Sequence, residues 1–152
     1  MNDLEERIAR AFPVVSLAFS RLMLDSQRRV MSELGLDLET SYIWGTLVQY
    51  NLAAVIPHGC DPRVIDFGDV NLKQAFKPAR LTDIAEVCRF PIETVRRKLN
   101  LLAEKGYVEQ LPDKSWIVCS IDRLTNQFVT DGITRLLETA RHIQGVLDRV
   151  KA

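Results

Sequence analysis

The sequence carries no excess charge of either sign, since twenty Lys and Arg face twenty Asp and Glu. A whole-molecule field that would steer a polyanion is thereby excluded, and any affinity for nucleic acid must rest on a local patch. Long apolar runs are missing too. Runs such as Leu22–Leu24 and Leu52–Ile56 fall far short of the roughly 20 residues a bilayer demands, so no membrane association is expected. Gly and Pro are scarce, at seven and six residues, which leaves out collagen-like and low-complexity chains. The three cysteines, Cys60, Cys88 and Cys119, are odd in number, far apart and form no C-x-x-C, which argues against a disulfide scaffold or a zinc ribbon. Catalytic signatures are lacking as well. There is no G-x-S-x-G, H-E-x-x-H or phosphate-binding glycine loop, so neither an enzyme nor a cofactor is expected. The acidic start, Met1-Asn2-Asp3-Leu4-Glu5-Glu6, has neither the basic stretch nor the apolar core of a secretory signal, which favours the cytoplasm.

What is present is mainly helical. The length of 152 residues suggests a single domain, 1–152. Asn2 with Glu5 imitates a capping box, and Leu4, Ile8, Phe12, Val15, Phe19 and Leu22 recur in steps of three and four. Pro13 either kinks one long helix or opens the main one at its first turn. Gly35 should end that helix, and a second begins near Asp37 or Thr40 and carries Ile43, Trp44, Leu47, Val48 and Leu52 towards Pro57. Trp44, Tyr50 and Leu52 read as core. Residues 1–56 thus read as a helical N-terminal segment, and because its apolar face together with that of the last helix exceeds what a unit of about 40 residues can cover, dimerisation is expected. Residues 57–77 hold no period for long; a short helix or strand is expected around Val64–Phe67 or Leu72–Phe76, or else a lid. His58, Cys60 and Asp61 stand close enough to suggest a metal or redox site, but with no second cluster in the chain an ordinary loop is favoured and no metal is expected.

From Leu81 the pattern sharpens. Thr82 can cap a short helix, Asp83–Cys88, with Ile84, Ala85 and Val87 as its apolar positions. Arg89-Phe90 makes a tight connection. Pro91 suits the first turn of a longer helix that runs to about Lys105, buries Val95, Leu99 and Leu102, and ends at Gly106. Tyr107–Leu111, Pro112-Asp113-Lys114 and Ser115–Cys119 read as a β-hairpin. Asp122 then starts a last helix, 122–152, in which Val129, Ile133, Leu136, Ala140, Ile143, Leu147 and Val150 form a seam with coiled-coil spacing.

Short helix, tight turn, longer helix and hairpin spell a winged helix-turn-helix over 78–119. Leu81-Thr82-Asp83-Ile84-Ala85, Thr94-Val95-Arg96-Arg97-Lys98-Leu99, Leu102 and Gly106-Tyr107-Val108 resemble the winged-helix core of bacterial transcription regulators. The long helices on either side resemble the MarR-type layout, in which terminal helices intertwine into a homodimer. That resemblance implies a regulator that binds double-stranded DNA as a homodimer, with the longer helix in the major groove. Its outward residues would then read bases: Arg97 on guanine, Asn100 on adenine, Thr94 on a thymine methyl or a phosphate, and Ile92 through apolar contact. Thr82, Arg89, Arg96 and Lys98 would meet phosphates, and Lys114 would do so from the wing tip. Glu93 repels phosphate unless it accepts from cytosine N4. Pro91 departs from the Ser or Thr common at that cap in such regulators, which removes one phosphate contact.

Local charge agrees with this assignment. Residues 73–98 hold seven basic side chains (Lys73, Lys77, Arg80, Arg89, Arg96, Arg97, Lys98) against three acidic ones (Asp83, Glu86, Glu93), an excess of four. Trp44, Tyr50, Phe67 and Phe76 are candidates to line a pocket for a small-molecule effector. The alternative is a winged-helix adaptor that binds protein and no DNA, a reading favoured by the neutral balance, by Glu93 and by the weakly basic wing.

Overall fold

The computed structural model describes residues 2–53, 76–119 and 123–150. Six helices and a two-stranded antiparallel sheet make up the described residues: α1 Asp3–Arg10, α2 Phe12–Glu33, α3 Leu38–Leu52, α4 Leu81–Cys88, α5 Ile92–Glu104, β1 Val108–Gln110, β2 Trp116–Val118 and α6 Arg123–Arg149. The expectation of a mainly helical chain with one small hairpin holds. The chain divides into two compact units, 1–36 with 121–152 and 37–120. The N-terminal segment read from the sequence as one piece is therefore shared out, with α1 and α2 in the first unit and α3 in the second.

In the first unit, the capping box of Asn2 and Glu5 forms as expected, each backbone N–H donating to the other's side chain at 2.9 Å. Of the two outcomes open at Pro13, the chain takes the second. α1 stops at Ala11 and a separate helix starts at Phe12, with Pro13 in its first turn, where the missing N–H costs nothing. At the other end of α2, Gly35 adopts φ 62°, the left-handed conformation that glycine enters without a Cβ clash. α6 runs antiparallel to α1 and α2, as its pairings show. Arg7 meets Asp148 at 3.2 Å, Arg135 meets Asp25 at 2.9 Å, and Arg29 donates to the Phe128 carbonyl at 3.1 Å. Ala11, Val15 and Leu147 form the buried apolar cluster, flanked by Ile143, Val146 and Val150.

Arg29 is buried here at 5% exposure. Its guanidinium holds both Glu33 oxygens at 2.8 and 3.0 Å and lies 4.7 Å from the Phe128 ring centre. The hydrogen bond to Glu33 raises its pKa further, against the opposing effect of burial. Much of the expected apolar seam is exposed: Leu4 and Ile8 on α1, Phe12 and Phe19 on α2 and Val129, Ile133 and Leu136 on α6, while Leu22 is half-buried and Ile143, Leu147 and Val150 at the end of α6 pack among the described residues.

In the second unit, Asp37 caps α3 by accepting from the Thr40 N–H at 2.9 Å and from its hydroxyl at 2.7 Å. The buried face of α3 is Thr40, Ile43, Leu47 and Asn51. Trp44, Tyr50 and Leu52, expected in the core, are only half-buried. α4 begins at Leu81, two residues earlier than Thr82 as cap would allow, with Arg80 as N-cap; Asp83 reaches back to the Arg80 N–H and guanidinium. Thr82 thus lies inside the helix, and Val87, expected to be inward, is 56% exposed. Pro91 is the N-cap of α5 and stands just outside its first turn.

α5 ends in a complete Schellman motif. Gly106 at φ 80° lets its own N–H reach the Ala103 carbonyl and the Tyr107 N–H reach Leu102. The hairpin pairs Val108 with Val118, Glu109 with Ile117 and Gln110 with Trp116, and Ala79 bridges to the outer side of Trp116. Asn51, fully buried, ties the unit together. Its amide donates to the Lys77 carbonyl at 2.7 Å and accepts from the Val118 N–H at 2.8 Å. No helix among the described residues is long and apolar enough to cross a membrane.

Candidate nucleic-acid interface

Helical spacing sorts α5 into two stripes. Val95, Lys98, Leu99 and Leu102 are buried, while Glu93, Arg96, Arg97 and Asn100 face out. The outward stripe borders an open hollow of about 440 Å³. Arg97 is exposed and has no ion-pair partner among the described residues; Arg96 is drawn back along the helix to Glu93 at 3.3 Å. Ile92 and Asn100 are exposed and Thr94 is half-buried, so these three remain on the surface that α5 offers.

Lys98 does not belong to that set. Its ammonium turns inward, 3.0 Å from both Asp37 oxygens and 3.3 Å from Glu39, and the residue is 9% exposed. A phosphate contact would require breaking all of these bonds, so the assignment of Lys98 to the phosphate-binding residues is corrected: it anchors α5 to the start of α3. The signal was available in the spacing, because 95, 98, 99 and 102 form one i, i+3, i+4, i+7 stripe. The carboxylate partners were not visible, being some sixty residues away in the chain. Burial pushes the Asp37 carboxyl up, but the hydrogen bonds from Thr40 and Lys98 outweigh it and hold the pKa at about 2.

The remaining cations are spread out. Arg89 ends α4 in the left-handed region, at φ 57°, exposed and with no ion-pair partner among the described residues. Lys114 occupies the same region at the hairpin tip, at φ 68°. Beside it Asp113 accepts from the Ser115 hydroxyl and N–H, which lower its pKa. Thr82 is exposed on α4. Arg80 is paired with Asp83 at 3.0 Å, and Lys77 lies 5.1 Å from the Tyr50 ring centre. The Arg80 and Arg96 pairs use Asp83 and Glu93, which the excess of four along residues 73–98 already subtracts, so Lys98 is the cation that acids outside that stretch compensate; Arg89 and Arg97 have no ion-pair partner among the described residues, and Lys73 lies outside them.

Of the aromatic residues suggested for an effector pocket, Trp44 and Tyr50 have different neighbours. Trp44 packs edge-on against Tyr107 with ring centres 5.1 Å apart, and the Tyr50 hydroxyl points to Asp83 at 3.4 Å. Phe76 is half-buried, and Phe67 falls outside the described residues. His58, Cys60 and Asp61 fall outside them as well, as do the element expected at 64–67 and all but Phe76 of the alternative at 72–76. Cys88 is buried, which pushes its thiol pKa up and keeps it unreactive. Among the described residues no three His, Cys, Asp or Glu side chains group as metal ligands. No protein-family model, curated protein or solved structure matches the chain.

Proposed function

We propose that the chain is a DNA-binding transcription regulator built on a winged helix-turn-helix, with α4 and α5 as the two helices and β1–β2 as the wing. One observation carries the reading: α5 keeps Arg97 exposed between Thr94 and Asn100, with no ion-pair partner among the described residues, while its other stripe is fixed in the core. Arginine bidentate to guanine and asparagine bidentate to adenine are the pairings that a helix in the major groove employs. Arg89 in the turn supplies a phosphate contact, and Lys114 supplies a weaker one from the wing. The first unit would make the homodimer. Phe12 and Phe19 on α2 and Val129, Ile133 and Leu136 on α6 are exposed, and a second copy would offer them the self-complementary cover that two-fold symmetry requires. Half-sites would then lie about one helical turn apart.

The adaptor reading draws on a specific observation of its own, the internal pairing of Arg80, Arg96 and Lys98 with carboxylates. A salt titration against random duplex DNA separates the two. The regulator binds with a log–log slope of several released counterions, whereas the adaptor does not bind. Sequences selected from a random pool then define the site, and Arg97→Ala is expected to weaken that site by about 1–3 kcal/mol while sparing random duplex. Equal losses on both would refute base reading by Arg97. Sedimentation at micromolar concentration reads the dimer directly.

A further inference from the structure

We propose that Glu93 is a specificity determinant, one that keeps the α5 stripe off sequences lacking a cytosine amino group at its position; the proposal rests on the DNA-binding reading above. Glu93, Arg96, Arg97 and Asn100 occupy i, i+3, i+4 and i+7 of one helix face, so a groove that admits Arg97 also receives Glu93. Glu93 stands in the first turn of α5, and the residues early in such a helix approach base edges most closely. Its side chain is 82% exposed, and its ion pair is with Arg96 on the same helix.

Two consequences follow when this stripe enters a groove. The carboxylate is repelled by the flanking phosphates and finds a donor only in an exocyclic amino group, foremost cytosine N4. Arg96 is withheld from phosphate as long as Glu93 holds it at 3.3 Å. Both effects weaken binding to arbitrary duplex, and the first reverses at a cognate base pair. The carboxylate therefore acts against wrong partners, in the manner of interfaces that gain selectivity from a repulsive element.

The test compares the full chain with Glu93→Ala and Glu93→Gln on random duplex and on the duplex selected by the native protein. Glu93→Ala is expected to bind random duplex more tightly, with a salt slope steeper by about 0.9 as Arg96 reaches a phosphate. Its preference for the selected site should fall by about fivefold or more, the lower end of single-base discrimination. Glu93→Gln, which pairs with adenine N6 and N7, should exchange cytosine for adenine at one position of a newly selected site. Unchanged selectivity and an unchanged selected sequence in both variants would overturn the proposal while leaving the DNA-binding reading intact. Failure of the native chain to bind any duplex would overturn both, and that result is visible before a variant is made.

Discussion

Replacing Lys98 tests the internal anchor of α5. In Lys98→Met the aliphatic stem is kept and the ammonium is lost, leaving Asp37 and Glu39 without their shared cation. Removing one member of a fully buried ion pair costs about 3–5 kcal/mol. Here the carboxylates are half exposed, with side chains at 52% and 43%, and they regain water. The expected loss is therefore nearer the value of one hydrogen bond to a charged group, about 2 kcal/mol. Lys98→Ala removes roughly three further buried methylenes at about 0.8 kcal/mol each, for a total of about 4 kcal/mol.

The assay is urea unfolding followed by tryptophan fluorescence. Both tryptophans, Trp44 and Trp116, lie in the second unit, so the signal reports the unit that Lys98 holds. The pH dependence adds a second readout. Asp37, held at about 2 against the usual 3.8, stabilises the fold above pH 3.8 and loses that contribution as the pH falls towards 2. After discounting for exposure, it amounts to about 1 kcal/mol. Lys98→Met should flatten that acid limb, because part of the depression leaves with the cation, while the Thr40 hydrogen bonds keep the remainder. A variant as stable as the native chain, or one with an unchanged acid limb, would refute the anchoring role. So would a shallower salt slope on duplex DNA with no change in stability, which would return Lys98 to the phosphate contacts.

Asn51→Ala should cost about 3 kcal/mol in the same unfolding assay, since it strands the Val118 N–H away from water and removes the bond to the Lys77 carbonyl. A loss below about 1 kcal/mol would show that water replaces the amide. Arg89→Gly relieves a left-handed residue and should stabilise the second unit by about 0.5–1 kcal/mol, the strain less the added freedom of the unfolded glycine. On the proposed function it should also weaken duplex binding, and a destabilised Arg89→Gly would refute the strain argument.

The parts of this fold that were legible in the sequence are those set by neighbours along the chain. Asn2 and Glu5, Asp37 and Thr40, and the glycines at 35 and 106 fix where helices start and stop through bonds spanning six residues or fewer. The inward stripe of α5 was legible for its apolar members because three- and four-residue spacing is itself the signal. What escaped depends on partners distant in sequence. Lys98 reads as one more basic residue until Asp37 and Glu39 arrive beside it, and Asn51 reads as a polar end to α3 until the hairpin docks. The local charge count along residues 73–98 subtracts Asp83 and Glu93, the partners of Arg80 and Arg96, but not Asp37 and Glu39, which lie outside that stretch and hold Lys98. Trp44 and Tyr50 were assigned to the core by residue type, yet α3 turns its smaller side chains inward and leaves the rings at the margin. Of the seam legible in the sequence, Phe12, Phe19, Val129, Ile133 and Leu136 are exposed.

The Asn51 amide also bears on the order in which the second unit assembles. Its bonds join positions 26, 65 and 67 residues apart, whereas α4 and α5 meet across a three-residue connection. Short-range pairs close at small entropic cost and long loops close later. The helix pair can thus exist before the hairpin has a place to sit, and the amide comes into use only at the last step of assembly. Changes at Asn51 should accordingly leave the refolding rate nearly untouched and appear as faster unfolding.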